Sequence, residues 1–164
     1  GINELDREHD LYWVEEPVMA DNFEGYASLS ENCETRIVGG EEEYTSYGFE
    51  NFIKYGDPDG VQPDVARSGG ITHMQKIATL AAQRGIPFIP HGYSTEIIIA
   101  ANLQLIAATQ NAPLLEYCME ESPLRWDLVR EEFPVEGGRV EIPDRPGLGV
   151  TLDRDVLERY STDL

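Results

Sequence analysis

Basic residues are scarce in this chain: 12 Lys and Arg stand against 31 Asp and Glu, a net charge of −19 over 164 residues. Such a balance repels nucleic acid and anionic membranes, and suits a cation-dependent site or a solvated acidic surface. Cysteine is rarer still. Cys33 and Cys118 are the only two, and their separation suits neither a zinc site nor a disulfide framework. No apolar run approaches the ~18 residues of a membrane span, and no signal-peptide pattern is present. A reducing cytoplasm is the expected compartment. The chain opens on Gly1 rather than Met, as a piece cut from something longer would.

What is present is an alternation. Short apolar runs at Leu11–Val14, Arg36–Val38, Gly60–Gln62, Ile86–Ile89 and Pro113–Tyr117 read as strands. Between them the spacing predicts helices over Asn22–Asn32, Glu42–Tyr55, Ile71–Arg84 and Thr95–Thr109. The Thr95–Thr109 segment is apolar almost all round, so it should be well covered. Alternating strands and helices imply a parallel sheet with right-handed crossovers. Five strands suit an open doubly wound sheet, or five-eighths of a (β/α)8 barrel. After Cys118 the pattern changes to turn-rich sequence, with a hairpin expected through Arg139–Ile142 and a short helix over Asp153–Tyr160.

In parallel α/β folds function gathers beyond the carboxyl ends of the strands. Here the five ends deliver Glu15-Glu16-Pro17, Glu41, Asp64, His91 and Glu116 in order. Each alone has an ordinary reading. Glu15 can be a solvated strand end. Glu41, with Glu42 and Glu43, can open a helix favoured by its dipole. Asp64 can cap the following turn, and His91 can be a buried structural histidine. Together they suggest chemistry. Glu15 and Glu41, on adjacent strands, repel one another unless a cation lies between them, and Mg2+ prefers such hard oxygen donors. Asp64 can orient the His91 ring and raise its basicity. Glu116 can serve at a substrate carboxylate. His9 and His73 read as surface residues, Gly69-Gly70 as a turn into the next helix, and Arg67 as a rim cation able to meet an acidic ligand. Tyr93, Ser94 and Thr95 either meet substrate hydroxyls or cap a helix.

The motifs "WVEEPV" with Glu15, "VGGEEE" with Glu41, "QPDVARSGGI" with Asp64, "PHG" with His91 and "LLEY" with Glu116 resemble the catalytic barrel of the enolase superfamily, mandelate racemase subgroup. The tail "IPDRPGLGV", Ile142 to Val150, resembles that family's closing segment. The resemblance covers essentially the whole chain. It implies a partial (β/α)8 TIM barrel, about the last five βα units plus a C-terminal hairpin and short helix, with the capping domain and first barrel strands absent. It implies Glu15 and Glu41 as Mg2+ ligands, Asp64 and His91 as an acid/base dyad, and Glu116 as an assisting group at the substrate carboxylate. Glu16 is then a loop acid.

The implied reaction removes the proton next to a carboxylate. The branch resembled is that of acid-sugar dehydratases. A racemase or epimerase of a 2-hydroxy acid is the alternative, a cycloisomerase the third reading, and an inactive half-barrel the non-enzymatic one. The third metal ligand and further acid/base groups belong to strands before Gly1, so metal should bind weakly, the open sheet edges should be sticky, and the fragment should have little activity alone. The full-length protein is expected to be a homo-oligomer acting on a small sugar acid or 2-hydroxy acid.

Overall fold

The computed structural model describes residues 1–162. A helix, α1 (Ile2–His9), leads into strand β1 (Val14–Glu15), followed by α2 (Phe23–Asn32), β2 (Ile37–Gly39) and α3 (Thr45–Asn51). A π-helical extension, Phe52–Gly56, continues α3 before β3 (Gly60–Val61). Then come α4 (Gly70–Arg84), α5 (Glu96–Ala107), the four-residue α6 (Pro123–Trp126) and α7 (Arg154–Tyr160). The strands pair in parallel in the order β1-β2-β3, as chain-order crossovers through helices require.

The register sets which side chains share a face. Val14 stands opposite Ile37, and both pack in the main apolar cluster with Phe49, Phe52, Val61, Met74, Ile77 and Phe88. The next residues, Glu15, Val38 and Gly60, are cross-strand partners and occupy the other face. That second face is the barrel interior. Gly60 fits there because a Cβ would lie 3.1 Å from Val38 and 3.2 Å from Pro87.

The fourth expected strand, Ile86–Ile89, is reduced to bridges. Its segment bonds to β3 through Val61 N to Pro87 O and Ile89 N to Val61 O, and His91 N reaches Pro63 O. Pro87 and Pro90 lack amide donors, so the ladder cannot run on without interruption. The fifth, Pro113–Tyr117, forms no strand at all, although Asn111 O accepts from Phe88 N at its entry. The expected Arg139–Ile142 hairpin shrinks to a Glu136–Arg139 bridge around Gly137-Gly138. A second bridge, Val129–Leu152, folds the C-terminal segment back under α5, where Phe133 and Val129 join Ile99, Ala100 and Leu103.

The helices follow their caps. Asn22 Oδ1 accepts from Gly25 N at the start of α2, and Asp153 Oδ1 accepts from Asp155 N and Val156 N at α7. Gly85 closes α4 in the left-handed region at φ 72°. The helix expected from Glu42 begins only at Thr45, so the three glutamates stay outside it. His73 is not a free surface residue: its Nδ1 accepts from Ser46 N, in the first turn of α3, at 3.0 Å.

Candidate active site

The geometry of the mouth follows from the end of β3. Past Val61 the chain reads Gln62-Pro63-Asp64, pinned on one side by Gln62 N to Gly39 O and on the other by His91 N to Pro63 O. Asp64 and His91 are backbone bridge partners, so their side chains leave the same face as neighbours. His91 Nδ1 lies 2.8 Å from Asp64 Oδ2, and both residues are buried. The other Asp64 oxygen accepts from Ala66 N at 2.7 Å and Arg67 N at 3.2 Å. This carboxylate therefore caps the next turn and holds the imidazole at once; the two readings of Asp64 are compatible. Asn102, fully buried on α5, donates to His91 O at 2.8 Å and fixes the backbone that carries the ring.

With Nδ1 held by Asp64, the ring aims Nε2 into the mouth. Glu41 Oε2 stands 3.0 Å from it and Glu116 Oε1 3.9 Å from it. Glu116 is placed by Gly92, whose N–H donates to its Oε2 at 3.0 Å. Glu15 accepts from Gln62 Nε2 at 2.7 Å, and Glu16 accepts from Gly40 N at 3.2 Å. The residues singled out in the sequence thus share one mouth. Arg67 faces outward, against Glu42 and over the Tyr44 ring, rather than inward. Tyr93 stacks beside His91, with ring centroids 6.4 Å apart, and its hydroxyl donates to Glu120. Thr95 precedes α5 without a side-chain capping bond.

Charge is concentrated here. Burial works to lower the His91 pKa, but the bond to Asp64 and the charges of Glu116 and Glu41 outweigh it, so the imidazole is held above its ordinary value. Asp64 is opposed by burial too, yet the His91 bond and the Ala66 amide bring it below the usual carboxylate range. Glu41 is pushed up by burial, with His91 pulling the other way and Glu16, Glu15 and Glu116 adding to the rise. Glu116 is likewise raised by burial.

Two residues that sequence reading passed over, Gln62 and Tyr26, stand in or beside this cluster, and a third, Glu96, is buried apart from it near Glu132, Arg125 and Asp127. Gln62 is 1% exposed and reaches Glu15. Tyr26, from α2, is 1% exposed, its hydroxyl has no partner, and burial and the nearby Glu16, Glu15 and Glu41 all raise its pKa. Glu96, in the first turn of α5, is 3% exposed with Oε2 unpartnered. Gln62 was visible as a polar residue at a strand end, two positions before Asp64, but its reach to Glu15 was not; Tyr26 and Glu96 carry no signal in the sequence.

The donor set suits a hard divalent cation in kind. Glu15 and Glu41 offer carboxylate oxygens, and Glu16, Glu15 and Glu116 add negative charge around Glu41. In number the set is short: among the described residues no group of three or more His, Cys, Asp or Glu side chains is placed to hold a metal.

Residues 2–156 match the enolase C-terminal domain-like family. The chain belongs to that family. Arabinonate dehydratase of Saccharolobus solfataricus is 36% identical over 92% of this chain and 40% of its own length. D-galactarolactone cycloisomerase of Agrobacterium fabrum is 35% identical over 90% of this chain and 41% of its own. An enolase from Bradyrhizobium, solved with magnesium and mandelic acid, superposes with a TM-score of 0.86 at 29% identity, covering 99% of this chain and 42% of that one. The chain thus spans about two-fifths of the length of the curated relatives it matches. The partial α/β barrel expected from the sequence is the fold observed, and its relatives bear the names of sugar-acid dehydratases and cycloisomerases. No helix among the described residues is long and apolar enough to cross a membrane.

Proposed function

We propose that this chain carries the acid/base half of the site of a Mg2+-dependent sugar-acid dehydratase. The observation that carries the reading is the ring of His91, tied through Nδ1 to Asp64 and presenting Nε2 to the mouth. In this reading Nε2 takes the proton next to the substrate carboxylate, and Asp64 holds the ring and balances the imidazolium that results. The imidazolium then returns the proton to the departing β-hydroxyl, so that water leaves and the enzyme is regenerated. Glu116, raised and 3.9 Å from Nε2, donates a hydrogen bond to the substrate carboxylate when protonated. Glu15 and Glu41 would hold the cation, whose chemistry is to stabilise negative charge on the carboxylate oxygens. Such a site takes its remaining ligands from the parts of the relatives that this chain does not span.

A cycloisomerase is the second reading, favoured by the near-equal identity to D-galactarolactone cycloisomerase. Both start with the same proton abstraction, so the dyad supports either. The test is a panel of aldonic acids and their lactones, with Mg2+, in deuterated water. A 2-keto-3-deoxy product that disappears in His91→Asn supports dehydration. Ring opening or closure without loss of water supports the cycloisomerase, and α-deuterium in unchanged acid marks a racemase. Proton exchange that persists undiminished in His91→Asn sinks the shared mechanism.

A further inference from the structure

We propose that Gln62 is the positioning residue for the Glu15 carboxylate, holding it for the divalent cation it would share with Glu41; the proposal rests on the metal reading above. Each other carboxylate in the mouth meets a donor of a different kind. Asp64 meets the Ala66 and Arg67 amides, Glu116 the Gly92 amide, Glu16 the Gly40 amide, and Glu41 the His91 ring. Only Glu15 is held by a side-chain amide, with Gln62 Nε2 at 2.7 Å from its Oε2.

The reach has a structural cause. Glu15, Val38 and Gly60 form one interior row, and Gln62, two residues beyond Gly60, leaves the same face. The intervening strand sets the level of the glutamine through its backbone, where Gly39 O accepts from Gln62 N at 2.8 Å. Pro63 and the backbone bonds on both sides of it restrict the Gln62 stem. The amide orientation is settled by chemistry, since its oxygen turned toward Glu15 would face another acceptor.

A purely structural glutamine would satisfy both ends of its amide. This one leaves Oε1 buried without a partner, an arrangement that weakens folding. It spends its donor on a carboxylate that is itself exposed. A neutral donor also orients Glu15 without cancelling its charge. Lys or Arg in the same place would compete with the cation. Outer groups that orient metal-bound carboxylates commonly matter ~10- to 100-fold in affinity.

The experiment is Mn2+ binding to the chain by electron paramagnetic resonance, with melting temperature measured in parallel. The variants are Gln62→Met, of similar length without a donor, Gln62→Asn, which keeps the amide but falls short of Glu15, and Glu15→Gln. The expected result is a Kd raised about 10-fold or more in both Gln62 variants, with Gln62→Met melting no lower than the wild type. Wild-type affinity in folded Gln62→Met or Gln62→Asn overturns the proposal. If Glu15→Gln weakens binding while the Gln62 variants do not, only Gln62 is wrong. If Glu15→Gln binds as the wild type does, or the wild type binds no Mn2+, the metal reading fails and takes this inference with it.

Discussion

Gly92→Ala tests how the expected fifth strand, irregular as it is, sets the site. A Cβ at Gly92 would sit 2.2 Å from the Glu116 carbonyl oxygen and 3.2 Å from its carbon. An ordinary carbon–oxygen contact is about 3.3 Å, so the 113–117 backbone must retreat by about 1 Å. The obstacle is backbone, not a flexible side-chain tip, and Gly92 has no positive φ, so the cost is steric alone. Overpacking of this kind costs about 1–3 kcal/mol. For a chain of this size a loss of about 2 kcal/mol lowers the melting temperature by about 4–8 °C. The same retreat breaks the 3.0 Å bond from Gly92 N to Glu116 and carries Glu116 away from His91. One cause of the raised His91 pKa is thereby lost, and a ring misplaced relative to its partners by about 1 Å can lose ~100-fold in rate. Thermal unfolding reads the first effect and the His91 ring-proton titration by NMR reads the second. A melting temperature within about 1 °C of the wild type, with an unmoved His91 titration, would refute the reasoning.

Two further outcomes follow from the buried charges. The His91 contribution to stability is fully present below its ordinary pKa of about 6.5 and is lost as pH rises through the raised folded value. In Asp64→Asn that pH-dependent loss should largely vanish, and the variant should be destabilised by about 3–5 kcal/mol at pH 6; an unchanged pH slope in urea unfolding counts against the dyad. Glu96 is raised from 4.5 to about 7 by burial first and by Glu132 and Asp127 after it, against Arg125. Its stabilising effect is full below pH 4.5 and gone above pH 7, so Glu96→Gln should gain about 1–3 kcal/mol at pH 8 and nothing at pH 4. Equal stability of the two proteins at pH 8 would contradict it.

The polar residues at the strand ends were legible because a parallel strand, whatever its length, ends where its apolar run ends. Glu15, Glu41, Asp64, His91 and Glu116 could be listed from that as rim residues, the family motifs were needed to prefer chemistry over a solvated rim, and the structure brings them to one mouth. The regularity of the strands was not legible. The Ile86–Ile89 and Pro113–Tyr117 runs looked like the others, yet Pro87 and Pro90 remove donors and Pro113 stands at the head of the last segment. Gln62 and Tyr26 were missed for a different reason. Their importance lies in what they reach across the sheet, and Tyr26 comes from a helix whose spacing marks it only as core.

By itself the amino-acid order determined the alternation of strands and helices, the acid-rich rim and the Asp64–His91 partnership, since apolar period and turn chemistry are local properties of the chain. Only the tertiary structure decided that His91 Nε2 faces both Glu41 and Glu116, that Arg67 turns outward, and that Gln62 holds Glu15. Those depend on register, and contacts between residues 25 to 50 positions apart are fixed by packing rather than by anything their neighbours in sequence can specify.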